Sequence, residues 1–286
     1  MFVTSFVTLA LASLPAFASP VLDARQITYT LYNDGTKGTL EGTAADFGAT
    51  YHASALLSKG GCSSTASIQT CYAAQLSADV TKNLETKDTS KPYLPNGIGK
   101  RQRAVLLTKP YTNATGVITH KVRFHISSTF NQVPVGTDEA ATFVALRNLD
   151  PSVGLLALDV RARVFIGEET SGTWLYLAMR RQDGQEEFPP VVSLDGVVGK
   201  TIEVTYVLGT DGKAIDADGN VASISCKFVG QSKAFMSAVV SKSQLPNGPI
   251  SSKTPYEFIF GADRGVAAGQ KELKAWFGDY TVSPAA

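Results

Sequence analysis

Histidine, methionine, cysteine and tryptophan are scarce in this chain: three, three, three and two among 286 residues. Three cysteines and three histidines, widely scattered, do not make a metal-binding set, and no cofactor is expected. Charge of one sign is also lacking. Lys and Arg total 26 against 25 Asp and Glu, a net charge of +1, which argues against a general nucleic-acid or membrane partner. Any electrostatic preference must therefore be local. After the first eighteen residues no apolar run is long enough to cross a bilayer. Nor does any long segment keep a helical period. Residues 232–242, "SKAFMSAVVSK", could form a short helix.

The apolar start, closed by Ala16-Phe17-Ala18, reads as a secretory signal over residues 1–18. Residues 19–286 then form one domain, with loop elaboration at about 59–100. The mature chain is expected to be soluble and extracellular. Export permits disulfides, so Cys62 and Cys71, which flank "SSTASIQT", are the expected pair. Cys226, in the alternating "ASISCKFVG", is expected as a buried thiol. Asn113-Ala114-Thr115 is a glycosylation triplet in a turn-like setting. Asp216-Ala217-Asp218-Gly219-Asn220 opens like a calcium loop. The twelfth position is Lys227, so a hairpin turn is expected instead.

Strand signals dominate. Short segments rich in β-branched and aromatic residues alternate with turn clusters such as "NDGTKG", "GTDGK" and "DADGN". The pattern predicts an all-β fold, an antiparallel two-sheet sandwich of the jelly-roll kind. In "HKVRFHISSTF", Val122, Phe124 and Ile126 share one face and Lys121, Arg123 and His125 the other. "LDVRARVF" sets Asp159, Arg161 and Arg163 opposite Val160, Ala162 and Val164. "TWLYLAMR" places Trp174, Tyr176 and Arg180 on one side. "GKRQRAVL" adds Arg101 and Arg103. If these strands share a sheet, its open face is basic and aromatic. Arginine forks grip carboxylates, and rings stack on sugars, so an acidic polysaccharide is the expected partner. Arg103, Lys121, Arg123, His125, Asn148, Arg161, Arg163, Trp174, Tyr176 and Arg180 are the candidate ligand-binding residues.

The closing segments "YEFIFGADRG" and "KELKAWFGDYTV" resemble the last strands of concanavalin A-like lectin and glucanase jelly rolls. Phe260-Gly261 and Phe277-Gly278-Asp279-Tyr280 carry the match. The order "GKRQRAVLL … GVITHKVRFHISSTF" is similar to the polysaccharide-lyase branch, the alginate and glucuronan lyases. The resemblance implies a jelly roll, a glycan ligand and a fungal source. It also implies β-elimination, with Arg123 or Arg161 neutralising a uronate, His125 as base and Tyr176 or Tyr256 as acid. Asn148 could help with the carboxylate. The chain departs from that branch at two strands. Its Gln-x-His motif is replaced around Leu146-Arg147-Asn148, and its Tyr-Phe-Lys-Ala-Gly motif by Glu257-Phe258-Ile259-Phe260-Gly261. A non-catalytic glycan binder is therefore the leading expectation, a lyase the alternative, and a structural cell-wall protein the third.

Overall fold

The structure, a computed structural model, describes residues 29–85, 101–127, 130, 140–149, 155–165, 172–181, 184–187 and 191–284. The proposed signal and part of the 59–100 elaboration lie outside these residues. Two antiparallel sheets pack as a sandwich. In spatial order the first sheet holds β1 (Thr30–Asp34), β4 (Leu56–Lys59), β5 (Cys71–Leu76), β17 (Leu273–Pro284), β7 (Val117–Ile126), β13 (Thr201–Gly209), β14 (Asn220–Phe228) and β15 (Met236–Ser241). The second holds β11 (Gly184–Glu187), β10 (Gly172–Arg181), β9 (Leu155–Phe165), β8 (Ala141–Asn148), β16 (Tyr256–Gly265), β6 (Arg101–Leu107), β3 (Thr50–Ala53) and β2 (Leu40–Thr43). A short β12 (Val192–Ser193) pairs with β10.

Alternation works as the sequence predicts. Val122, Phe124 and Ile126 of β7 meet Leu158 and Val160 of β9, Leu175 and Leu177 of β10, and Phe258 and Phe260 of β16 in one continuous core. Rings make much of this contact. Phe124 stacks on Phe143 at 5.3 Å between centroids, and Phe260 on Tyr280 at 5.1 Å. Cys226 is buried in β14, and burial pushes its thiol pKa up. Cys62 and Cys71 form the expected disulfide. Asp216 to Asn220 is a turn, with Asp216 accepting from the backbone N–H of Asp218 and Asn220.

One local expectation is corrected. Residues 236–241 form β15 rather than a helix, paired along β14. β-Branched Val239 and Val240 and an open ladder on β14 outweigh the weak helical period.

Candidate functional site

The structure separates two groups that the sequence reading joined. β7 lies in the first sheet, whereas β6, β8, β9 and β10 lie in the second. Lys121, Arg123 and His125 therefore face away from the core on the opposite side of the sandwich from Arg103, Arg161, Arg163, Trp174, Tyr176 and Arg180. His125 and Tyr176 cannot flank one sugar. Alternation fixes which face of its own strand a side chain takes. It carries no information on which sheet the strand joins.

The outer face of β7 holds the disulfide loop. Arg123 donates through Nη1 to the Ser67 carbonyl (3.3 Å) and to Asp279 (3.2 Å), and through Nη2 to Glu203 (3.2 Å). Asp279 accepts from the backbone N–H of Gln69 (3.0 Å) and Thr70 (2.8 Å). Gly278 is required beside it, because a Cβ there would lie 1.8 Å from the Thr70 carbonyl oxygen. The aromatic-Gly-Asp-aromatic strand thus has a local physical role: glycine admits the loop and aspartate ties its amides. Thr201 Oγ1 accepts from Ser67 N–H and lies 3.1 Å from His125 Nδ1. His125 is buried beside Trp276, and burial lowers its pKa.

Asn148 is also corrected. It points inward with Val144 and Leu146 and donates to the Leu155 and Pro249 carbonyls, both at 2.9 Å. Tyr256, the other acid candidate, is likewise internal and hydrogen-bonds to His120.

The second sheet's outer face is the candidate site. Crossing it from one edge, register places Glu41 opposite His52, Arg103 opposite Asp263, Asp263 opposite Thr142, Thr142 opposite Arg161 and Arg161 opposite Tyr176. A second row runs through Glu257, Arg147, Ala157 and Arg180. Nearly all of it is withdrawn from water. The side chains of Arg103, Glu85, Arg161 and Asp159 are 4%, 3%, 2% and 0% exposed.

The charges are arranged in opposite pairs. Asp263 receives Arg101 (2.9 Å) and Arg103 (2.9 Å). Burial alone would raise its pKa; the two guanidinium groups overrule this and hold its carboxyl well below the usual carboxylate range. Asp159 lies 3.3 Å from Arg147 and 3.1 Å from Arg180. Burial pulls Arg147 below the usual guanidinium value, with Asp159 opposing. At the other end, Arg163 lies over the Phe165 ring (4.5 Å) and the Tyr176 ring (5.4 Å). Tyr176 is fully buried, and Trp174 is half-buried on the same face.

A narrow recess opens at the centre, lined by His52, Arg103, Thr142, Arg147, Ile259 and Asp263. Its volume is about 10 Å³, room for roughly one water. His52 is the member that sequence reasoning missed. Its Nδ1 meets Glu41 at 2.7 Å, and its Nε2 meets Glu85. "TYHA" carries no local signal for this, since both carboxylates come from other segments. Asp263 had a readable signal: it alternates with Ile259 and Gly261 against the inward Phe258, Phe260 and Ala262.

Asn113 is exposed in a turn at φ 56°, a conformation asparagine tolerates. Among the described residues no helix is long and apolar enough to cross a membrane.

No family model and no curated protein sequence matches the chain. Its fold does have counterparts among solved structures. An alginate lyase from Klebsiella pneumoniae superimposes with TM-score 0.49 and 9% identity, over 76% of this chain and 82% of that one. The protein titled "Cellulose induced protein, Cip1" gives 0.42 and 12%, over 91% and 93%. The PL7 alginate lyase AlyA1 from Zobellia galactanivorans gives 0.39 and 15%, over 75% and 78%. The expected two-sheet sandwich stands on the strand pairing itself, and the likeness to polysaccharide-lyase jelly rolls is one of fold. At these identities it concerns fold alone.

Proposed function

We propose that this chain is a secreted carbohydrate-interacting jelly roll that holds an acidic extracellular polysaccharide on the outer face of its second sheet. One observation carries the reading: buried charge is concentrated there. Arg101, Arg103, Arg147, Arg161 and Arg180 are interleaved with Glu85, Asp159, Glu257 and Asp263. Buried ion pairs contribute little net stability, and apolar residues would close such a face more stably. A face retained in this form serves recognition, and arginine forks suit carboxylates. The aromatic end, with Trp174 and Phe165, supplies the rings against which sugar faces pack.

A lyase is the second reading, favoured by His52 lining the recess with Arg103 and Arg147. The arginines would neutralise the uronate carboxylate. A base would take the proton from the carbon beside it, a C=C bond would form, and the glycosidic C–O bond would break with protonation of the leaving oxygen. His125 lies on the other sheet and is replaced as base candidate by His52 together with Glu41 and Glu85, on which its two ring nitrogens rest, the cluster taking the proton as a unit.

One experiment tests both readings. The purified protein is mixed with uronate polysaccharides while retention and ultraviolet absorbance from unsaturated ends are followed. Retention without absorbance, lost in Arg147→Gln, supports binding. Rising absorbance that disappears in His52→Gln supports the lyase. Neither retention nor absorbance refutes both.

A further inference from the structure

A wider opening than the central recess lies on the other sheet. β5 stops pairing with β17 at Cys71–Gly278, and β17 bulges at Asp279–Tyr280. A cleft of about 470 Å³ opens there, lined by Phe47, Gln69, Thr70, Lys121, Arg123, Glu203, Asp279 and Thr281. Small-molecule sites typically span about 300–1,000 Å³, so this cleft has the capacity that the central recess lacks.

Two further features mark it. Phe47 (φ 63°) and Asp279 (φ 49°), both lining residues, hold left-handed backbone. For a bulky residue such as Phe47 this is costly, and such strain gathers at binding sites. The lining is also mixed in a specific way. Lys121 is exposed and makes no ion pair among the described residues. Glu203 pairs with Arg123 and with Lys227 (3.2 Å), and Asp279 with Arg123 and the loop amides, so a ligand hydroxyl would share these carboxylates with their present donors. The half-buried Phe47 ring adds an apolar surface.

We infer that this cleft is a second glycan site, for a short neutral oligosaccharide, on the face opposite the acidic-polysaccharide site. Neighbouring sugar hydroxyls donate to Glu203 and Asp279 and accept from Lys121 and Arg123. A neutral ligand suits the cleft because cations and carboxylates alternate around it: a uronate would meet Glu203 and Asp279, and an amine would meet Lys121. The C–H face of the sugar packs on Phe47. The disulfide loop, fixed by Cys62–Cys71 and by the Asp279 carboxylate, forms one wall through Gln69 and Thr70.

The test is an amide NMR titration with neutral tri- and tetrasaccharides of glucose, xylose, mannose and N-acetylglucosamine. The expected result is that one of them shifts the amides of Gln69, Thr70, Lys121 and Thr281. Glu203→Gln and Lys121→Ala each weaken it by about tenfold or more, while Arg163→Gln, at a half-buried position on the other sheet, leaves it unchanged. Lys121 is exposed, so its variant keeps the fold. The inference is overturned if none of the sugars moves these amides at millimolar concentration, or if binding survives both cleft variants. Binding lost only in Arg163→Gln would place neutral sugars on the second sheet and equally overturn it. Because uronate retention is read separately, failure here leaves the first proposal standing.

Discussion

Buried His120 should make this protein lose stability as pH falls below about 6.5, before most of its carboxylates begin to titrate. His120 lies between the sheets, stacked on Phe258 at 4.1 Å, with Tyr280 Oη 2.8 Å from Nδ1 and Tyr256 Oη 3.1 Å from Nε2. Its polar partners are hydroxyls, so no carboxylate offsets a charge on the ring. Burial lowers its pKa from 6.5 to about 3. Between those values the unfolded chain binds a proton that the folded chain refuses. Stability is therefore complete above pH 6.5 and is lost as pH falls toward 3. At about 1.4 kcal/mol per pH unit, the loss reaches about 3 kcal/mol at pH 4.5 and about 5 kcal/mol at pH 3. His120→Phe keeps the stack and removes the proton site. At pH 7 it should cost about 1–3 kcal/mol, since the Tyr256 hydroxyl loses its partner. Tyr280 keeps Tyr111 at 2.7 Å. Urea unfolding from pH 7 to 4.5 should then show the gap between wild type and variant closing or reversing. His125, also depressed by burial, acts equally in both proteins and cancels. The carboxylate pKa values lowered by ion pairs, Asp263 included, act below this window. A wild-type minus variant difference independent of pH would refute the reasoning.

Asp159→Ala should destabilise by about 3–5 kcal/mol in chemical denaturation, because it strands Arg147 and Arg180 in a buried setting. An effect under 1 kcal/mol would mean that water reaches this face. Replacing Cys62 and Cys71 by serine removes a ten-residue closed loop and should cost about 2–3 kcal/mol, read as a lower melting temperature. His125→Ala should leave uronate retention within twofold of wild type, since β7 faces away from the second sheet; a large loss would contradict the assignment of the site. Cys226 should resist alkylation until the protein unfolds, which a thiol-labelling time course in urea would show.

Much of this was legible locally. The alternation in "LDVRARVF" and "TWLYLAMR" separates core from outer face correctly, and the spacing of Cys62 and Cys71 gives the disulfide. Asn148 was readable too. It keeps step with Val144 and Leu146, and that parity outweighs a motif analogy that placed it with the ligand. What was hidden is non-local. Whether Arg123 and Arg161 share a face depends on which strands β7 joins, and its partners are β13 and the last strand of the chain. Nothing within "HKVRFHI" records that. Of the three side chains turned outward there, Arg123 clamps a loop more than fifty residues upstream. His52 needed Glu41 and Glu85 beside it, and these come from two different segments.

The placement of the last two strands has a consequence for how the molecule is made. β17 joins the N-terminal β1-β4-β5 group to the rest of the first sheet, and β16 joins β6, β3 and β2 to the rest of the second. Both halves of each sheet therefore wait for a seam sewn from the final thirty or so residues. While the chain is still being synthesised, four raw strand edges stay open at once. Such edges pair readily with wrong partners. A chain clipped before Leu273 would carry nearly all its core residues and still be unable to close the first sheet. The arrival of β16 and β17, more than any local nucleus, is what commits these sheets to their fold.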